Sequence, residues 1–425
     1  MINRSYTMTF FHKTKKERIE QIRKDIFNWL NNYICARMIS FDDTETAFKS
    51  KTDAELNRAY KLFKLVGSNT LVSFGKWATN VALLLKLPIK GPVKATIFKQ
   101  FCGGETIAEC DPTIHNLWRF GIGTILDYSV EGKESEADFE RTCSEILRTV
   151  QRSDQEESIP FSVFKVTGIT TFSLLEKLSS NQPLSAEEEK KYDQFYNRID
   201  RICAAAFNAN TPVFIDAEES WIQEAIDTVC ATMMEKYNKK SAIVYNTIQL
   251  YRWDRLAYIK KLHNQSRQES YFLGLKLVRG AYMEKERERA KEQNYPSPIQ
   301  KDKQAADQDY DDALKYCIEN INTIAFCAGT HNERSTLYLT KLMKQNGVEK
   351  NNAHIYFAQL LGMSDHISYN LSNAGYNVAK YVPYGPVNDV LPYLLRRADE
   401  NTSVAGQTSR ELALIMKERK RRSAR

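Results

Sequence analysis

From residue 120 onward, short apolar runs alternate with stretches of helical spacing. The runs lie at 120–127 (FGIGTILD), 162–167 (SVFKVT), 212–216 (PVFID), 242–246 (AIVYN), 274–279 (GLKLVR), 323–328 (TIAFCA), 354–358 (HIYFA) and 377–382 (NVAKYV). Each is short and rich in Val, Ile, Phe or Tyr, as strands buried on both faces are. Between them the apolar spacing changes to three and four. Phe139, Cys143, Ile146 and Val150 form one stripe, Tyr192, Phe195, Ile199 and Ile202 a second, and Ile222, Ile226, Val229 and Met233 a third. Ser185 with Glu188 three residues on predicts a capping box, and Ser364 predicts the cap of a helix that ends at Gly375.

Strands and helices alternating over roughly 280 residues predict a distorted (β/α)8 TIM barrel within the α/β class. An open doubly wound sheet is the competing architecture, but it usually carries a Gly-rich turn after its first strand, and neither G-x-G-x-x-G nor a Walker sequence occurs here. The predicted division is a helical N-terminal arm over 1–119, a catalytic barrel over 120–405, and a helix end with a basic tail over 406–425. Residues 69–89 are the only candidate membrane span, but Lys76 and Asn80 sit near its middle. A central lysine costs about 2.5–3.5 kcal/mol on insertion, so a buried or interfacial helix is the better reading.

Composition narrows the classes. Of 425 residues, 42% are hydrophobic and 27% charged, which fits a folded globular chain. The net charge of +7 is concentrated at the C-terminus, where residues 417–425 (KERKRRSAR) hold six basic groups and one acid. The body is therefore close to neutral, which argues against a nucleic-acid partner. The tail reads either as a solubilising end or as a contact with an anionic membrane. The eight cysteines include no CxxC, and the six histidines are scattered, so no metal site is expected. Reduced thiols and the absence of a secretory signal in the first residues point to a cytoplasmic setting.

Reactive groups of such a barrel belong at the carboxyl ends of its strands. Asp127 and Glu131 follow the first run, Lys165 and Thr167 the second, Asp216 and Glu218 the third, and Asn246 and Gln249 the fourth. Arg279 and Tyr282 follow the fifth, Thr330, His331 and Asn332 the sixth, and Tyr381 and Tyr384 close the eighth. Lys165 lies inside an apolar strand, where an unpaired ammonium is costly. Its partner is a barrel carboxylate such as Asp216 or a ligand carboxylate; a Schiff-base role is a third option. In 387–401 (VNDVLPYLLRRADEN), Tyr393, Arg396, Arg397 and Glu400 share one helical face, beside a stripe of Leu391, Leu394, Leu395 and Ala398. Adjacent arginines there can grip a planar carboxylate; a solvated face with an Arg396–Glu400 pair is the alternative.

Taken together, KLVRGAYMEKER, FIDAEE, GTHNE, LLGMSD and KYVPYGPVNDVLPYLLRRADEN resemble proline dehydrogenase, with FCGGETIAEC (101–110) and LDYSVEG (126–132) extending the likeness toward the N-terminus. The resemblance covers roughly residues 100–405 and implies FAD held at the strand carboxyl ends, under a last helix that closes over the substrate. The implied reaction oxidises L-proline to 1-pyrroline-5-carboxylate and passes electrons to a membrane quinone, with a separate pyrroline-5-carboxylate dehydrogenase downstream. By motif, Lys165, Arg396 and Arg397 would hold the proline carboxylate, Tyr282, Leu360, Tyr381 and Tyr393 would wall the ring, and Glu400 would orient the arginines. Asn246, Lys276, Val278, Arg279, Gly280, Ala281, Tyr282, Thr330, His331 and Asn332 would line FAD, with Asp216 near the flavin and Lys165. Glu105 would pair with Arg396 as a gate. Many bacterial members carry Arg and Lys where this chain has Lys276 and Arg279; a lysine presents a point charge and not a planar fork. Hydroxyproline oxidation, which a bulky Tyr381 disfavours, and a flavin-free lyase or aldolase built on Lys165 are the alternative activities. The expected location is peripheral, at the inner face of a bacterial plasma membrane, or else mitochondrial.

Overall fold

A computed structural model describes residues 39–66, 90–130, 134–403 and 407–424. Glu131 and the candidate span 69–89 lie outside the described residues. Residues 41–425 form one compact unit. Within it, eight parallel strands close a barrel in sequence order: β1 Ile122–Tyr128, β2 Phe161–Lys165, β3 Val213–Asp216, β4 Val244–Gln249, β5 Leu273–Val278, β6 Ile324–Gly329, β7 Ile355–Leu360 and β8 Val378–Tyr384. Each apolar run lies on one of these strands. β4 and β8 continue past their runs into polar residues, because the parallel ladder carries on regardless of side chain: Gln249 registers with Val278, and Tyr384 with Tyr128.

Alternation sends every second side chain into the barrel. Ile125, Phe161, Val163, Phe214, Tyr245, Ala325, Cys327, Ala358, Ala379 and Tyr381 form the interior core. Phe161 and Phe214 stack with centroids 4.4 Å apart, and Tyr245 meets both edge-on. The bulky rings come from β2–β4 and the alanines from β6–β8, so large faces small across the lumen. Each fully buried large apolar side chain contributes about 1.5–3 kcal/mol.

The helices form the outer layer: α1 Asp53–Val66, α2 Ile107–Trp118, α3 Glu136–Asp154, α4 Phe172–Ser179, α5 Ala186–Asn208, α6 Ser220–Tyr237, α7 Arg255–Gln268, α8 Met283–Glu292, α9 Lys303–Glu319, α10 Glu333–Gln345, α11 Asp365–Asn373, α12 Val387–Ser403 and α13 Gln407–Ser423. The α3 and α6 stripes are buried, and the Ser185–Glu188 capping box opens α5. Ser364 does not cap α11 with its side chain as expected. Its φ of +50° is left-handed, and its hydroxyl is committed elsewhere.

Two arrangements position the site. Gly103 N–H donates to Pro383 C=O, and Gly385 N–H to Gly104 C=O, so the chain entering α2 is stitched to the carboxyl end of β8. From there α2 packs on β1 and β8 through Cys110, Ile114 and Leu117. That is the outer seam where the helix following the last strand of a regular barrel would lie. α12 instead packs Val387, Val390, Tyr393 and Leu394 on Phe98, Phe101, Cys102 and Met363. Leu360, the last residue of β7, touches both this cluster and the barrel interior, which puts α12 at the mouth on the β7–β8 side. The basic segment is neither a free end nor a loose tail. It is α13, whose Leu414 and Ile415 pack with Leu56, Ala59 and Phe63 of α1.

Candidate active site

Four strands converge on one carboxylate. Asp216, the last residue of β3, accepts from Lys165 Nζ on Oδ2 at 3.0 Å and from the Tyr381 phenol on the same oxygen at 2.7 Å. Lys276 donates to its Oδ1. Lys165 also lies 3.5 Å from Asp127 Oδ2. The register explains the geometry: Lys165 and Asp216 are direct neighbours across β2 and β3, while Lys276 and Tyr381 reach inward from β5 and β8. Asp216 is deeply buried, yet Lys276, Lys165 and the Tyr381 hydroxyl outweigh desolvation and hold its carboxyl down at about 2. Burial pushes the Asp127 carboxyl up, against the pull of Lys165. Burial and the adjoining Asp216 push the Tyr381 phenol well above its ordinary range.

Above this cluster lie the aromatic and arginine side chains. Tyr393 and Arg397 are buried and Arg396 half-buried, with the Arg397 guanidinium 5.1 Å from the Tyr393 ring centre. The Tyr282 phenol, enclosed and raised well above its usual range, feels Glu218, Glu219, Lys165 and Arg396 together. The Glu400 side chain lies outside the described residues. Glu105 accepts from Lys94 and from the Val387 N–H at 3.3 Å, which ties it to the start of α12.

The remaining residues expected to line a cofactor divide. Val278 ends β5, and Gly280 turns the chain with φ +137°; a Cβ there would sit 2.4 Å from the Tyr251 ring, so only glycine fits. Ala281 is exposed beside it. Arg279 spreads its fork over Asp307 (2.8 Å), Thr330 Oγ1 (2.8 Å) and Ser335 Oγ (2.9 Å), stacked on Tyr310. Asn332 caps α10 through Ser335 N–H. His331 Nδ1 lies 2.9 Å from Ser364 Oγ, and burial, with Lys380 and Arg397 nearby, lowers its imidazole to about 3, so it is neutral. Asn246 is not at the mouth. Because Tyr245 points inward, Asn246 points outward, and its amide donates to Asp227 of α6 at 2.9 Å.

Alternation instead turns Thr247 and Gln249 inward. Thr247 Oγ1, Gln249 Oε1 and Asp127 Oδ1 are buried and lack a hydrogen-bond partner among the described residues. Unsatisfied buried polar atoms are costly and point to a ligand. Gln249 was read from the sequence as a strand-end group, and strand alternation would have added Thr247. Glu218 was legible as a strand-end acid, but its burial was not. It accepts from Thr167 N–H at 2.9 Å and from the Thr167 hydroxyl, and burial lifts it to about 7. Orphaned polar atoms beside Lys276, with aromatic rings around them, fit a flat polar heterocycle such as a flavin. Among the described residues no group of His, Cys, Asp and Glu side chains is arranged to hold a metal ion.

A closed parallel barrel with paired lysines, a buried carboxylate and an arginine-bearing helix at its mouth places the chain in the (β/α)8 class. The proline dehydrogenase family model matches residues 110–410. The mitochondrial proline dehydrogenase 1 of Dictyostelium discoideum is 33% identical over 426 residues, covering 89% of this chain and 74% of that protein. The hydroxyproline dehydrogenase of Xenopus laevis is 31% identical and covers 90% of both. The proline utilization A protein of Bdellovibrio bacteriovorus superposes with a TM-score of 0.67 at 19% identity, over 85% of this chain and 38% of that one, which supports the fold. The chain belongs to the proline dehydrogenase family and is an oxidoreductase.

Proposed function

We propose that this chain uses FAD to oxidise L-proline to 1-pyrroline-5-carboxylate and passes the electrons to a membrane quinone. The observation that carries the reading is the convergence of Lys165, Lys276 and Tyr381 on Asp216 at the barrel mouth, which α12 adjoins through Leu360. Lys165 is held by the carboxylates of Asp216 and Asp127. The substrate carboxylate would bridge Lys165 and the two arginines, and Glu400 would steady the arginine pair. Tyr282, Leu360, Tyr381 and Tyr393 would wall the apolar pyrrolidine ring and exclude water. A bound flavin would accept the two electrons that leave with hydrogen from the C–H bond beside the ring nitrogen, as the nitrogen loses its proton and C–N becomes C=N. Lys276, Val278, Thr247, Gln249 and His331 would position it.

The Xenopus laevis relative keeps hydroxyproline in view. Tyr381 disfavours it, because its phenol is fixed by Asp216 and cannot swing aside for an added hydroxyl. Turnover of L-proline and trans-4-hydroxy-L-proline should be compared with a soluble quinone analogue as acceptor and the product identified by mass spectrometry. Faster proline turnover yielding 1-pyrroline-5-carboxylate is expected; preference for the hydroxylated substrate would transfer the assignment. A keto acid trapped on Lys165 by borohydride, in protein without flavin, would favour the aldolase.

Contact with an anionic membrane would use the exposed Met416, Lys417 and Lys420 of α13, at the inner face of a bacterial plasma membrane or inside a mitochondrion.

A further inference from the structure

We propose that Glu411, on α13 and outside the barrel, is a positioning residue for the cofactor site: it fixes the backbone of Ser364, and Ser364 fixes the imidazole of His331. The inference rests on the flavin reading above. It concerns a residue just past the end of the family match at 410.

Ser364 joins β7 to α11 and adopts φ +50°, ψ +41°. An L-residue persists in that left-handed conformation only where its surroundings hold it. Three contacts do so. Its N–H donates to Glu411 Oε1, its C=O accepts from the Ile367 and Ser368 N–H groups at 3.0 and 3.1 Å, and its hydroxyl meets His331 Nδ1 at 2.9 Å. Ser364 is fully buried and Glu411 is 2% exposed, so water does not substitute for either. The preceding turn is equally constrained. Gly362 has φ +76°, and a Cβ there would lie 2.1 Å from the Gln100 carbonyl oxygen.

The hydrogen bond between His331 Nδ1 and the Ser364 hydroxyl fixes the ring plane of a neutral imidazole, and thereby where Nε2 is presented to a ligand. Glu411 itself is surrounded by His366, whose Nδ1 lies 3.9 Å away, and by Asp365 and Lys380, and burial raises its carboxyl. α13 is held independently by Leu414 and Ile415 packed on α1. The helix can therefore be loosened without touching Ser364.

The experiment measures the FAD dissociation constant, the visible flavin spectrum and the thermal midpoint of the full chain. Glu411→Ala and Ser364→Ala are each expected to weaken FAD binding about tenfold and to shift the flavin band, as loss of one ordering hydrogen bond would. Glu411→Gln, which keeps a carbonyl acceptor for the Ser364 N–H, is expected to recover both. Leu414→Ala is expected to lower the midpoint with FAD affinity and spectrum unchanged. If Glu411→Ala proves unstable, Ser364→Ala carries the same test. Glu411→Ala or Ser364→Ala with wild-type affinity and spectrum, or Leu414→Ala altering them equally, would overturn the positioning role alone. Wild-type protein that takes up no FAD would overturn the flavin reading and this inference together.

Discussion

Asp216 carries more donors than any other carboxylate at the barrel mouth, and its chemistry can be tested directly. Asp216→Ala leaves Lys165 and Lys276 facing each other without their shared counter-ion. Breaking a buried pair of this kind costs about 3–5 kcal/mol, to be read as a lowered denaturant midpoint. Its carboxyl is held down at about 2 against an ordinary 3.8. The stability it supplies is therefore complete above pH 3.8 and lost as pH falls through 2. Glu218 has the opposite sign. Its carboxyl is raised from 4.5 to about 7, so the native state holds a proton that the unfolded chain releases. Stability should fall by about 3 kcal/mol as pH rises from 4.5 through 7, and Glu218→Gln should flatten that slope in urea titrations across the window.

At the scale of elements, α12 is where sequence pattern and structure meet most fully. The three-and-four spacing of Tyr393, Arg396 and Arg397 gives one face, and burial of Tyr393, Leu394 and Arg397 shows that this face is not solvated. Its seating at the mouth followed from the family resemblance and not from the spacing of its residues. It depends on α2 filling the β8–β1 seam, a contact between segments far apart in sequence. Arg396→Met removes one charge-assisted contact worth about 1.5–3 kcal/mol. KM for proline should rise roughly 10- to 150-fold with flavin retained, as steady-state kinetics and an absorbance spectrum would show. The strands were legible because fully buried parallel strands read as apolar runs. Their polar ends were not, so β4 runs through Gln249 and not only to Asn246. Counting alternation from Tyr245 would have exchanged Asn246 for Thr247 and Gln249 as inward groups. Ser364 misled for a related reason: a serine before a helix signals a cap, but here its hydroxyl pairs with His331, 33 residues back.

For the molecule as a whole, the C-terminal charge reads differently once folded. Arg421 and Arg422 both grip the buried Glu418, and Arg422 also reaches Asp53 and the Phe48 carbonyl. Much of the basic surplus is thus used inside the fold. Co-sedimentation with anionic vesicles should depend on Lys417 and Lys420, and Lys417→Glu with Lys420→Glu should abolish it while leaving the thermal midpoint within a few degrees.

The clamp of Lys165, Arg396 and Arg397 over a flavin is tested most directly by following the visible absorbance of purified protein as L-proline is added without oxygen. A yellow protein whose flavin band bleaches with proline, and bleaches only at far higher concentration in Arg396→Met, is the expected result. A colourless protein, or a flavin band that proline leaves unchanged, would contradict it.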